Sequence, residues 1–323
     1  MLRRTFLSAL GAAALFGTSS LCAQSAAERV LTVPFPAGGG GDTLARSSLD
    51  VWAEALGAKV VPMNRPGAGG NIGIRALVNE KKADFAIGYV TNGIYCTNPV
   101  LYRNMGFDPK KDLRPIGQLS SIALLMVLNP KAIEGVTDLK SLLEYAKAHP
   151  GEVNFASSGI GTTSHVAGEL LAKEAGVDLT HIPHVGGAAA VVEVLAGRIP
   201  FMIDVMPNLL QHVKSGALVP LGVTTATRQK QLPEVPTLKE LGLKNYELFA
   251  WDGFVCPAAV SDAAYGDYLA AMEKVQENPQ VALRLETMGA EPSKLRGEAF
   301  EAFIDSQRPK WQDLIRRSLN TNE

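Results

Sequence analysis

The sequence has little of what most catalytic or nucleic-acid-binding chains display. Its 323 residues include three cysteines and five histidines. No two cysteines form a CxxC pair, and His149, His165, His181, His184 and His212 show no zinc-ligand spacing, so neither a metal nor another cofactor is expected. The formal charge is −1. With no basic stripe to displace counterions from a phosphate backbone, nucleic acid is not an expected partner. Short-range repeats and low-complexity tracts are also missing.

Enzyme motifs fail on spacing. "PAGGGGD", residues 36–42, lacks the Lys-Ser/Thr ending of a P-loop, and "GAGGNIG", residues 67–73, puts Ile72 where a dinucleotide fingerprint needs its third glycine. Ser157 or Ser158 beside His165 would suggest acyl transfer, but no G-x-S-x-G elbow occurs. The chain is therefore expected not to be an enzyme.

What is present begins with an export leader over residues 1–26. Arg3 and Arg4 precede the apolar stretch "TFLSALGAAALFGTSSL", and small residues follow around "CAQSAA" where a signal peptidase would cut. The apolar stretch is too short and too weakly apolar for a membrane anchor. The two arginines suit both the general secretory and the twin-arginine routes. Cys96 and Cys256 then remain in the mature chain, to pair if the fold brings them within about 6 Å between Cα atoms or to stay as buried thiols.

With 46% hydrophobic and 20% charged residues, the rest has a globular composition long enough for two domains. Apolar runs of strand length alternate with helical patterns: "RVLTVPF", a helix to Leu56, "KVVPMN", a helix around "NIGIRALVNE", then "ADFAIGYV". This alternation predicts an α/β fold of βαβ units and a parallel sheet. Asp138 falls in a helical first turn, and Pro150-Gly151 stop that helix. Two extended apolar runs ending in proline, near residues 123–133 and 248–258, read as crossings between lobes. They place lobe one at 27–127 and 250–323, and lobe two at 128–249.

The strongest local feature is the loop Gly38, Gly39, Gly40, Gly41 between a strand ending at Phe35 and a helix expected to be capped by Asp42. Free N–H groups at the positive end of a helix make an anion site, and glycine lets a ligand approach the backbone. A similar strand–loop–helix occurs at residues 157–163, and a third at Gly186-Gly187.

At these residues the sequence resembles a family. "VPFPAGGGGDTLAR", "NRPGAGGNIG", "NPVLYRNMGFDPKKDLRPIGQL", "VNFASSGIGTTSHVAGELL", "LPEVPTLKELG" and "MGAEPSKL" look like the periplasmic receptors of tripartite tricarboxylate transporters, the Bug or TctC-like family, from about residue 30 to the C-terminus. The resemblance implies a two-lobed periplasmic binding protein fold closing on a small carboxylate, with membrane permease subunits as partners and a monomeric receptor. A sensor subunit docking on a signalling receptor is the alternative. By motif, Phe35, Ala37, Gly38, Gly39, Gly40, Gly41 and Asp42 would hold carboxylate groups in one lobe. Ser157, Ser158, Gly159, Gly161, Thr162, Thr163 and His165 would do so in the other, through amides, hydroxyls and ordered waters. Thr91 and Asn92 match a pocket-lining turn, and Asp204 matches an acidic position. Where the family often reads Tyr-Lys-Gly, this chain has His184-Val185-Gly186. A cation and a phenol are missing there, which leans the ligand toward an apolar, even aromatic, carboxylate.

If the leader is removed on export, N-terminal sequencing of the exported protein should return a start between residues 23 and 28. Recovery of Met1 would contradict this.

Overall fold

The computed structural model describes residues 28–318, so the expected leader lies outside the described residues. The strands are β1 (Glu28–Val33), β2 (Lys59–Asn64), β3 (Ala86–Thr91), β4 (Leu113–Leu128), β5 (Val153–Ser157), β6 (Leu179–Pro183), β7 (Phe201–Val205), β8 (Val219–Val223), β9 (Phe249–Pro257) and β10 (Ala290–Pro292). They hydrogen-bond in the order β2-β1-β3-β9-β4-β7-β5-β6, with β8 and β10 also paired to β4. Helices separate most of them, and none in the described residues is long and apolar enough to cross a membrane.

The βαβ units are present at both ends of this order. β1 runs parallel to β2 and β3, and β5 runs parallel to β6 and β7. The sheet as a whole is mixed rather than parallel, because β9 is antiparallel to both β3 and β4, and β4 is antiparallel to β7 and β8. These two strands join the halves of the sheet instead of closing a βαβ crossover, so the right-handed parallel rule does not govern them.

β4 holds the arrangement together. From Leu113 to Ala123 it pairs with β9, and from Leu124 to Leu128 it pairs with β7 and β8. Nearly every residue of it is buried, with no alternation between faces, as expected of a strand covered on both sides. The chain returns at Leu248, just before β9. Thr224 ties the two passages: its N–H donates to Leu124 O (3.1 Å), its Oγ1 donates to Leu248 O (2.7 Å), and the Leu248 N–H donates to Thr224 O (2.9 Å). The Leu124 N–H in turn donates to Thr224 Oγ1 (3.2 Å).

Local sequence explains the helix boundaries. Asp138 is the N-cap of helix Leu139–Ala148, one position earlier than expected, and forms a reciprocal capping box with Ser141. The long helix expected to run to Leu56 is two, Gly40–Arg46 and Leu49–Leu56. Ser47 breaks it by donating its Oγ to Leu44 O at 2.7 Å, a side-chain bond that competes with the helical ladder. In the core, Trp52 meets Phe254 edge-on at 5.2 Å, and Trp251 meets Phe300 at 5.8 Å and Phe303 at 5.6 Å. Cys96 and Cys256 are free and buried, and burial pushes both thiols up to about 12.

Thr224→Val keeps the shape of this tie but removes its hydroxyl, stranding the Leu124 N–H and Leu248 C=O in the core. Urea unfolding should show a loss of about 1–3 kcal/mol. An unchanged midpoint would show that Thr224 contributes nothing to the junction.

Candidate functional site

Four strand-to-helix turns converge on one cavity. After β1 the chain runs Pro34-Phe35-Pro36 into helix Gly40–Arg46, whose N-cap is Gly39 rather than Asp42. This corrects the expected cap. Asp42 sits inside the first turn, where its carboxylate accepts from the Gly38 N–H (2.9 Å), Arg46 Nε (2.7 Å) and Asn64 Nδ2 (2.7 Å). Burial works to raise its pKa, but these hydrogen bonds outweigh it and hold the carboxyl below the usual range. Its oxygens are thus occupied by protein donors.

The second turn follows β5. Thr162 caps helix Thr163–Ala175 by accepting the His165 N–H at 3.4 Å, and Gly159 and Gly161 adopt φ of +121° and +84° that a side chain would strain. The third turn ends at Gly186, the N-cap of helix Gly187–Leu195. A Cβ on Gly186 would lie 2.7 Å from the Pro36 ring, so the first and third turns pack backbone to ring. In the fourth, Asp204 at the end of β7 precedes helix Met206–Lys214.

The cavity between these turns, with the open solvent at its mouth counted in, takes up roughly 710 Å³. Phe35, Gly39, Gly40, Gly41, Leu44, Tyr89, Thr91, Asn92, Ile122, Ala250 and Trp251 line it from the half containing β1; Ser158, Thr162, Thr163, Ser164, Gly186, Gly187, Asp204 and Asn208 line it from the other. Bonds cross it. The Gly40 N–H donates to Asn208 Oδ1 (2.6 Å), Thr163 Oγ1 donates to Asn92 Oδ1 (3.0 Å), and at the rim the Tyr102 hydroxyl donates to Ile160 O (2.9 Å). The first N–H groups of each helix have no intrahelical backbone acceptor; among them, that of Gly40 is taken by Asn208 and that of His165 by the Thr162 cap.

The polar inventory of the walls is specific. Among the described residues, no Lys, Arg or His lines the cavity. Asp204 is fully buried and accepts from Ser158 Oγ, the Val205 N–H (2.6 Å) and Asn208 Nδ2 (3.2 Å). Burial still raises its pKa against those hydrogen bonds. Among the described residues that line the cavity, Asn92 and Trp251 each have a buried side-chain donor without a partner, Nδ2 and Nε1, and each unpaired donor costs about 1–3 kcal/mol. Beneath the floor, Tyr89 donates its hydroxyl to Asp252, whose pKa burial pushes up to about 6.

The sequence-derived residues divide accordingly. Phe35, Gly39, Gly40, Thr91, Asn92, Ser158, Thr162, Thr163, Gly186 and Asp204 line the cavity. Gly159, His184 and Val185 line an adjoining groove at its mouth. Ala37, Gly38, Asp42, Ser157, Gly161 and His165 line neither. Sequence reasoning missed Asn208, Tyr89 and the cavity-wall position of Trp251. Asn208 was findable, since it lies four residues after Asp204 on the first turn of the following helix.

His165 and Ser157 instead belong to a buttress behind the second turn. His181 Nε2 is 2.5 Å from Ser157 Oγ, its ring stacks on His165 at 4.2 Å, and Glu169 Oε1 is 3.7 Å from His165 Nε2. The donor atoms of His165, Glu169 and His181 lie within 4.8 Å of one another, a cluster that histidine spacing alone did not reveal. The Gly161 N–H donates to His165 Nδ1 at 3.4 Å, so this ring lone pair supports the loop. Burial pushes the His165 pKa down to about 4 and, together with the neighbouring imidazoles, that of His181 down to about 3.

The profile of the family described as "Tripartite tricarboxylate transporter family receptor" matches residues 44–319. A UPF0065 protein from the tcbD–tcbE intergenic region of Pseudomonas sp. strain P51 is 32% identical over 293 residues, covering 90% of this chain and 86% of that one. Protein BugT of Bordetella pertussis is 28% identical over 299 residues, covering 89% and 88%. Among solved structures, R. palustris Rpa4515 with adipate superposes with a TM-score of 0.86 at 27% identity, and the periplasmic binding protein BugD with 0.85 at 30%; each comparison covers 90% of this chain and 97% of the other.

Because both buttress imidazoles have folded pKa values below 6.5, the unfolded chain binds protons that the folded one refuses between that pH and about 4. Their contribution is present above pH 6.5 and lost as pH falls. Relative to wild type, His181→Gln should therefore be most destabilised near pH 7, and the deficit should shrink toward pH 4. Urea midpoints across that range check it; a deficit independent of pH would mean that His181 does not titrate as described.

Proposed function

The chain belongs to the tripartite tricarboxylate transporter receptor family, and from that premise we propose that it captures a small organic carboxylate by closure of its two lobes and hands it to membrane permease subunits. The family is one of extracytoplasmic solute-binding receptors with the two-lobed periplasmic binding protein fold. The observation that carries the reading is the cavity: the N-terminal turns of four helices converge on it, and Asn92 and Trp251, each with a buried side-chain donor that has no partner, stand in its wall. Such a site accepts oxygen anions.

We place the lobes at 27–127 with 250–323, and 128–249, and the hinge where the pairing of β4 changes partners between Ala123 and Leu124 and where the chain returns at Leu248. The Gly39–Gly41 turn belongs to one lobe and the turns at Ser158, Gly186 and Asp204 to the other. A ligand touching both binds the closed state better than the open one, which is the differential affinity that a population shift requires. The receptor acts as a monomer after removal of its leader. It performs no chemistry on the ligand: Ser157, Ser158 and His165 are not arranged as nucleophile and base, because the Ser158 hydroxyl donates to Asp204 and His165 lies behind the loop.

Trp251 lies at once in the cavity wall and two residues into β9, so its emission should shift on titration with a bound carboxylate. Trp52 and Trp311, on helices Leu49–Leu56 and Glu298–Ser318, should report little, and Trp251→Phe should abolish the signal. Small-angle scattering should show compaction. A calorimetrically bound ligand that produces neither change would refute lobe closure.

A further inference from the structure

Resting on the carboxylate-receptor reading, we propose that Asp252, which lies outside the cavity lining, is a positioning residue for it: its carboxylate aims the Tyr89 ring of the wall and fastens that wall to β4 beside the proposed hinge. The case starts from a cost. Asp252 and Tyr89 are both fully buried, and a carboxylate taken out of water is tolerated only where donors surround it. Three do. The Tyr89 hydroxyl donates to Oδ2, and the N–H and Oγ of Ser120 donate to Oδ1 at 2.8 and 2.7 Å. These donors come from the strands on either side of β9, Tyr89 from β3 and Ser120 from β4. An amide here would offer one acceptor and one donor, so three converging donors select a group that only accepts.

What the carboxylate fixes reaches the ligand side. Tyr89 stands in the cavity wall while its hydroxyl is held by Asp252. Its ring meets Phe35 edge-on at 6.2 Å, and the Phe35 ring in turn leaves no room for a Cβ on Gly41. The line from Asp252 through Tyr89 and Phe35 therefore ends at the first glycine turn. In the other direction, Ser120 adjoins a shift of register in the β4–β9 ladder and stands three residues before Ala123, where the pairing of β4 with β9 ends. Such a shift bends a strand, and Asp252 grips β4 at that point. One buried side chain thus joins the wall on β3 to the strand that carries the hinge. Tyr89 is the titratable group facing it, and Asp42, on helix Gly40–Arg46, acts on the same phenol. The helices packed on this stretch bring rings, Phe300 against Trp251 and Trp52 against Phe254. Burial pushes the Asp252 pKa up to about 6, and once protonated the carboxyl no longer accepts from all three donors.

Two measurements on the full mature protein test this. In protein carrying carbon-13 at the tyrosine ζ position, the Tyr89 signal, assigned by its loss in Tyr89→Phe, should shift with a midpoint of about 6 in wild type and stay flat through that range in Asp252→Asn. The second is calorimetry at neutral pH with succinate, adipate, citrate and benzoate as probes. For the probe that wild type binds most tightly, Tyr89→Phe and Asp252→Asn should each weaken binding at least about fivefold, the loss of one hydrogen bond to a charged group. The double variant should lose no more than about twofold beyond the worse single one, because both changes cut the same link. Tyr89→Phe keeps the ring and leaves Asp252 its Ser120 donors, so it decides the affinity even where Asp252→Asn does not fold. Unchanged affinity in Tyr89→Phe, with only the urea midpoint lowered, makes the pair structural and overturns the proposal, as does a Tyr89 signal indifferent to pH. A panel silent on wild type overturns the receptor reading, while the Tyr89 titration still decides whether Asp252 governs the ring.

Discussion

β4 is shared by the two halves of the molecule, and every functional property follows from that sharing. One strand pairs with β9 over its first part and with β7 and β8 over its last, so neither half has a sheet that is complete without the other. The cavity lies beside the change of partners: Ile122 precedes it on β4, and Ala250 and Trp251 stand next to it on β9. A rotation about this junction would leave the ladders on either side intact, which is what the proposed lobe closure needs. Thr224 limits that freedom by bonding to both passages at once.

Among the described residues, no cationic side chain lines the proposed anion site. Partial charges spread over backbone N–H groups replace side-chain ammonium or guanidinium groups. They cost no side-chain entropy on closure, because the helices already hold them in place. Shape also constrains the site. A Cβ on Gly40 would approach Asn208 and Val205 to about 3 Å, and one on Gly41 would come within 2.7 Å of the Phe35 ring. Gly39, by contrast, has φ of −78° and room for a side chain. Within one run of four glycines, the ones that the packing requires are those entering the helix.

How much of this was legible in the sequence depended on the range of the interaction. Strand and helix periodicity and the glycine turns are local patterns, and they led to the α/β class, to the glycine turns of the cavity wall and to β4 and β9 as strands. The mixed direction of the sheet was not local, since antiparallel pairing of β4 and β9 joins residues more than a hundred positions apart. Asp42 was misplaced by one turn because Gly39 can cap without a side-chain oxygen. His165 was drawn toward the ligand by its motif, whereas stacking on His181, sixteen residues later, turns it into a support. Tyr89, inside the apolar run "ADFAIGYV", is both core and wall.

The bonds that span the cleft run from protein to protein: Gly40 to Asn208, Thr163 to Asn92, Tyr102 to Ile160. Each contributes about 0.5–1.5 kcal/mol net, and none involves the ligand's own atoms. Under the proposed closure they would therefore act on every cargo alike, lengthening residence time without improving selectivity. A solute with modest intrinsic affinity would be retained because these bonds must break before it leaves. Unloading then requires something that pulls the two lobes apart, a mechanical task suited to a membrane partner that grips both rims rather than one that competes for the solute.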